Sequence, residues 1–223
     1  MHTFVFRRRS TGMSTHSGTE SPILELLVVF VLVFVAQFLT SILGLMGGLF
    51  VLAAPLSNDP WTIITSVYAH DGVGHLLSNS IALVLFGWPV ARATSRLRFH
   101  AFFLLTGAIA GVSQVLVLSG FASVLGSGGT APGVLGASGA VFALLGYLLA
   151  GNRLSSGVAS VIDVPDWVTY AVFFVVAAVV TLTTFAPGVA LVAHFTGLLL
   201  GLLTGRARVL HVESSTQRDR SSL

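Results

Sequence analysis

The 223-residue sequence has no cysteine and no lysine, and only 9% of its residues are charged. Without cysteine there is no disulfide framework, no thiolate nucleophile and no cysteine-based metal site. Acidic side chains number eight and basic ones eleven, all arginine. The pI near 10.2 points to nucleic acid only superficially, because the arginines lie between and beyond apolar runs and form no single patch. What is abundant is hydrocarbon. Hydrophobic residues make up 54% of the chain and mean hydropathy is +0.93, far outside the range of a soluble domain of this length. The sequence therefore reads as an all-α membrane protein.

An α-helix needs about 20 residues to cross a bilayer, and six apolar stretches fit at roughly 23–45, 73–91, 100–120, 138–150, 167–184 and 188–205. The first is longer than the apolar region of a typical signal peptide and no small-residue cleavage site follows it cleanly, so it is expected to remain as a span. The expected organisation is an N-terminal tail at 1–20, a six-span membrane domain at 21–206 and a second tail at 207–223. Arg7, Arg8, Arg9, Arg92, Arg96, Arg98, Arg153, Arg206, Arg208, Arg218 and Arg220 all fall on one side of these spans. Segments 46–72, 121–137 and 185–187 carry no arginine. The positive-inside rule then places both termini in the cytoplasm of a multi-pass cell-membrane protein.

The stretch "GASGAVFALLGY" sets Ser138 at the head of an apolar run that ends at Gly151, Asn152 and Arg153. At 1.5 Å per residue this fourth span covers about 20 Å of a hydrocarbon core of about 30 Å. Ser138 is expected on the order of 10 Å below the outer surface, with irregular backbone descending to it, an arrangement tolerated only beside protein or a water-filled cavity. His194, counted from Pro187 along the sixth span, is expected at a similar depth, about 10 Å. A hydroxyl attacks only when a base within hydrogen-bond reach takes its proton. Ser138 and His194 therefore read as a nucleophile–base dyad. The eight carboxylates lie near the expected cytoplasmic face or in the first outer loop, so none completes a triad.

Close helix packing is needed to bring the two together, and small residues supply it. Gly197, Gly201 and Gly205 make one small-residue face, and Gly139, Ala143 and Gly146 another. His75 and Asn79, spaced i, i+4 in "HLLSN", share a helix face. With the first-turn amide of Ser138 they are candidate donors to an oxyanion. Each residue also has a plainer reading. Serines in membrane helices bond their own carbonyls, an intramembrane histidine can bridge helices, and glycine spacing alone means packing. Four polar residues from three spans converging at one level outweigh those readings.

The set "HLLSN", "GASG" and "AHFTGLLLG", in this order on spans two, four and six, strongly resembles the rhomboid intramembrane serine proteases over about residues 20–206. The resemblance implies a six-helix rhomboid-like bundle that cleaves single-span membrane proteins near the outer end of their helix. It implies that Ser138 is the nucleophile, His194 the base, and His75 and Asn79 the oxyanion donors. His70, Phe142 and Gly87 also match positions common in the family, and Gly136, Gly139, Gly197 and Gly201 are supporting positions. No metal or cofactor is implied; the partners are transmembrane substrates and the lipid bilayer, with no nucleic acid. The chain departs in lacking a Trp-Arg pair in the first loop and in carrying Ala91 where the family has an acidic residue. Rival readings are a catalytically inactive rhomboid-like chaperone, a small transporter using His70, His75 and His194, and a haem protein using paired histidines.

Overall fold

In hydrocarbon every backbone N–H and C=O must be satisfied within the chain, so uninterrupted apolar runs become helices. The computed structural model describes residues 21–126, 132–151 and 165–211, and among them helices and turns account for the architecture, with one isolated bridge between Leu52 and Val134. The tail expected at 1–20, residues 212–223 of the tail expected at 207–223, and the segment holding Arg153 lie outside the described residues.

The helices are α1 Pro22–Ile42, α2 Met46–Phe50, α3 Thr62–Thr65, α4 Val73–Ala91, α5 Arg96–Val124, α6 Ser138–Gly151, α7 Asp166–Thr183 and α8 Leu191–Arg206. Six of them occupy the six apolar stretches. By length and composition α1, α4, α5 and α7 are able to cross a membrane, whereas α6 and α8, at 14 and 16 residues, are shorter. The molecule is a polytopic membrane bundle. Its exterior is apolar, with Phe38, Leu97 and Val124 each more than 60% exposed, the inverse of a soluble surface.

Several helix ends differ from the expected ones for local reasons. α1 stops at Ile42 instead of 45, because Gly44 adopts φ +70 and turns the chain. α5 starts at Arg96 instead of 100, since the Ser95 hydroxyl accepts from the Arg98 amide at 3.4 Å and caps the helix. It continues past 120 to Val124, a length of about 43 Å at 1.5 Å per residue. α8 starts at Leu191, because Gly188 at φ +81 keeps the chain out of helix until then. Within α4 the segment Leu83–Gly87 is a π-turn just ahead of Pro89, whose missing N–H and bulky ring disturb the regular ladder.

The small-residue faces do what their spacing implies. α6 and α8 touch backbone to backbone: a Cβ on Gly197 would overlap the Gly139 carbonyl, one on Gly201 the Ala143 carbonyl, and one on Gly146 the Leu198 carbonyl. Farther along, a Cβ on Gly205 would come within 2.6 Å of the Tyr147 carbonyl oxygen. α6 is the centre of the bundle, with Ala140, Ala143 and Leu144 fully buried among Phe30, Leu83, Phe99 and Phe103 from α1, α4 and α5. Gly87 lets α4 approach α1, since a Cβ there would be 2.7 Å from the Ile23 methyl.

The end of the bundle opposite Ser138 holds the described ion pairs. Glu25 meets Arg96 at 2.9 Å and His100 at 2.7 Å, and Asp166 pairs with Arg206. Arg92 lies over the Trp88 ring at 5.0 Å. The packed chain continues beyond 206: Leu210 is buried and its amide donates to the Tyr147 hydroxyl at 3.2 Å.

Candidate active site

Two helix beginnings meet at the site. Ser138 is the first residue of α6, so its amide has no helical carbonyl behind it. His194 sits in the first turn of α8 and not seven residues down a helix from Pro187, since helix begins only at Leu191. Both residues nevertheless reach one level, because two short helices start together. The Ser138 hydroxyl lies 2.9 Å from His194 Nε2, hydrogen-bond distance for a proton to pass from Oγ to the ring.

His194 is held on three sides. Phe142, one turn below Ser138 on α6, stacks on the imidazole with centroids 4.3 Å apart and planes at 17°. The Thr184 hydroxyl is 3.1 Å from Nδ1. The Ala193 amide, one of the unpaired donors opening α8, is taken up by Gln114 Oε1 from α5 at 3.0 Å. His194 itself is only 8% exposed.

The backbone leading into Ser138 is pinned from the first loop. Leu52 and Val134 exchange two backbone hydrogen bonds, 2.9 and 2.8 Å, and the Gly136 amide donates to the Ser66 carbonyl at 2.9 Å. Gly136 has φ +138, a conformation that favours glycine. A Cβ there would also lie 2.7 Å from His75 Cε1 and 3.0 Å from Nε2. The His75 ring thus rests directly on the segment that precedes the serine.

The Asp71 amide donates to His75 Nδ1 at 3.2 Å, which leaves the proton of a neutral ring on Nε2, the nitrogen nearest Gly136. Asn79 is buried and spends one amide proton on the His75 carbonyl at 3.0 Å, leaving its second N–H. A cavity of about 1120 Å³ opens onto Ser138, His194, His75, Asn79, Gln114 and Thr184 together. His70 is placed differently. Its ring is buried against Phe30 at 4.8 Å and His75 at 5.3 Å, and Gln37 holds its backbone N–H at 2.9 Å and its carbonyl at 3.3 Å. It supports His75 and does not line the cavity.

Gln37, Gln114 and Thr184 were not anticipated from sequence. For the two glutamines a signal existed, an amide within an apolar run, which in lipid demands a partner. Thr184 has none, being one of several threonines in "TLTTF".

An apolar helical bundle that holds a serine and a histidine in hydrogen-bond contact inside a polar-lined cavity belongs to the class of multi-pass membrane proteins with a buried Ser–His pair. A family model for the rhomboid domain matches residues 57–210. RHOMBOID-like protein 4 from Arabidopsis thaliana is 30% identical over 160 residues, covering 72% of this chain and 37% of its own. RHOMBOID-like protein 6, mitochondrial, from the same plant is 25% identical over 172 residues, covering 74% of this chain and 49% of its own. The chain belongs to the rhomboid family. It spans less than half the length of either relative.

Proposed function

We propose that this protein is an intramembrane serine endopeptidase that cleaves single-span membrane proteins near the outer end of their transmembrane helix. The observation that carries this reading is the 2.9 Å contact between Ser138 Oγ and His194 Nε2 at the wall of a large cavity. In this mechanism His194 Nε2 accepts the hydroxyl proton as Oγ bonds to the scissile carbonyl carbon. The tetrahedral oxyanion is held by the Ser138 amide, His75 Nε2–H and the remaining Asn79 N–H. The proton on Nε2 then passes to the departing amine as the C–N bond breaks, leaving an acyl-serine. Water, deprotonated by the same imidazole, attacks the ester carbon; the C–Oγ bond then breaks, the carboxylic acid product leaves, and His194 Nε2–H returns the proton to Oγ.

A substrate helix hides its carbonyls in its own hydrogen bonds, so the segment to be cut must unwind before attack. Substrates with a Gly or Pro near the cut fit that demand best. The arginine distribution favours cytoplasmic termini and a site opening to the outside of the cell membrane.

The test is purified protein with a membrane-anchored reporter in lipid, comparing wild type, Ser138→Ala and His194→Ala. Cleavage by wild type alone supports the reading; cleavage by either variant at a substantial fraction of the wild-type rate overturns it. A wild type inert toward reporters and toward a fluorophosphonate, which acylation-competent serines capture, would favour a non-catalytic membrane role.

A further inference from the structure

We propose that Thr184 is a positioning residue that holds His194 in the one neutral tautomer able to act as a base toward Ser138. The inference rests on the dyad reading and deepens it. A neutral imidazole carries its proton on either nitrogen, and only a ring with Nδ1–H and a bare Nε2 accepts the Ser138 proton. With no partner at Nδ1, that tautomer has no advantage over the alternative, in which Nε2–H donates to Oγ and no base faces the hydroxyl.

Hydrogen-bond accounting around Thr184 decides between the two. Thr184 follows directly on α7, and its backbone amide donates to the Thr181 carbonyl at 3.0 Å, which turns the hydroxyl toward the second lone pair of that same oxygen. Its hydroxyl gives its single proton to the Thr181 carbonyl at 2.7 Å. At 3.1 Å from His194 Nδ1 the oxygen therefore has only lone pairs to offer, and the ring must donate. Nδ1–H to Thr184 leaves Nε2 bare, 2.9 Å from Ser138 Oγ. The Phe142 ring stacked on the imidazole at 4.3 Å adds no hydrogen-bond partner. The chain Thr181 carbonyl, Thr184 hydroxyl, His194 and Ser138 thus has one consistent direction. A neutral hydroxyl stands where serine proteases with a triad place a carboxylate, and the acceptor comes from a different helix than either dyad member.

The test uses the 223-residue chain in detergent or lipid, with Thr184→Val removing the hydroxyl at nearly constant shape and Thr184→Ser keeping it. Imidazole ¹⁵N chemical shifts separate protonated from bare nitrogens, and His194→Gln assigns the signals among seven histidines. Wild type and Thr184→Ser are expected to show Nδ1 protonated and Nε2 bare, and Thr184→Val to lose that pattern. In parallel, kcat for a reporter and the rate at which a fluorophosphonate phosphonylates Ser138 are expected to fall about 3- to 10-fold in Thr184→Val, the worth of one hydrogen bond, with KM unchanged. Thr184→Ser should recover both. A bare Nδ1 in wild type overturns the proposal, even if Thr184→Val does not fold. So does a Thr184→Val enzyme with wild-type kcat. Cleavage by Ser138→Ala would instead sink the protease reading, and the tautomer measurement stays interpretable without it.

Discussion

A Cβ placed on Gly197 of α8 would run into the carbonyl oxygen of Gly139 on α6, the residue next to Ser138. This backbone contact, repeated one turn on between Gly201 and Ala143, sets the distance between the helices that carry serine and histidine. Because the neighbour is backbone, it cannot swing aside as a side chain does.

Gly201→Ala is therefore expected to force α6 and α8 apart and to destabilise the bundle by about 1–3 kcal/mol, the usual cost of overpacking. Gly120→Ala is the matched control: it lies within α5 with nothing inside 4 Å of the added methyl, and should stabilise by about 0.5–1 kcal/mol. Thermal unfolding in one detergent compares the two. Equal midpoints would mean that the α6–α8 contact is looser than described.

For the proposed oxyanion donors the expected effect is partial. Asn79→Ala and His75→Ala should each slow cleavage by about 10²–10³, corresponding to about 2.7–4 kcal/mol of transition-state stabilisation. Asn79 sits toward the smaller end, because one of its protons is already given to the His75 carbonyl. Fluorophosphonate labelling of Ser138 should fall in parallel with cleavage. If cleavage drops while labelling holds, these side chains position substrate and do not hold the oxyanion.

Gln37→Leu should damage stability and activity together. The side chain satisfies both backbone groups of buried His70, and leaving a buried pair unsatisfied costs about 1–3 kcal/mol for each group. Next along the chain is Asp71, whose amide orients His75. The check is a lowered unfolding midpoint accompanied by a reduced acylation rate at a temperature where the variant remains folded. A stable variant with reduced acylation would show that Gln37 acts on the site alone.

Membrane orientation is open to a clean labelling test, since the chain has no native cysteine to give background. A cysteine at exposed Ser57 should react with an impermeant maleimide on intact cells. One at exposed Ser95 should react only after permeabilisation. The opposite pattern would invert the orientation read from the arginines.

Much of the fold was legible because hydrocarbon imposes a strong constraint: a long apolar run has to be a helix, and small residues at every fourth position have to face another backbone. Ser138, His194, His75 and Asn79 stood out for the same reason, as polar groups where polarity is expensive. Helix ends were read less well. Gly44, Ser95 and Gly188 act through local dihedrals and caps that hydropathy does not register. The depth of His194 counted from Pro187 assumed helix where Gly188 turns the chain, yet the residue still reached Ser138 because α6 and α8 begin side by side.

Residue order alone dictated which segments are helical, which faces pack closely and which polar side chains stand out within apolar runs, since each of these follows from burial in hydrocarbon and from spacing along one helix. Directions of hydrogen bonds across elements did not follow from it. That Asp71 presents an amide to His75 Nδ1, that Gln114 takes the Ala193 amide, and that Thr184 offers His194 only lone pairs depend on groups 4, 79 and 10 residues apart meeting in space. A hydrogen bond requires placement to within a few tenths of an ångström, and only the packing of α4, α5, α7 and α8 around α6 supplies that.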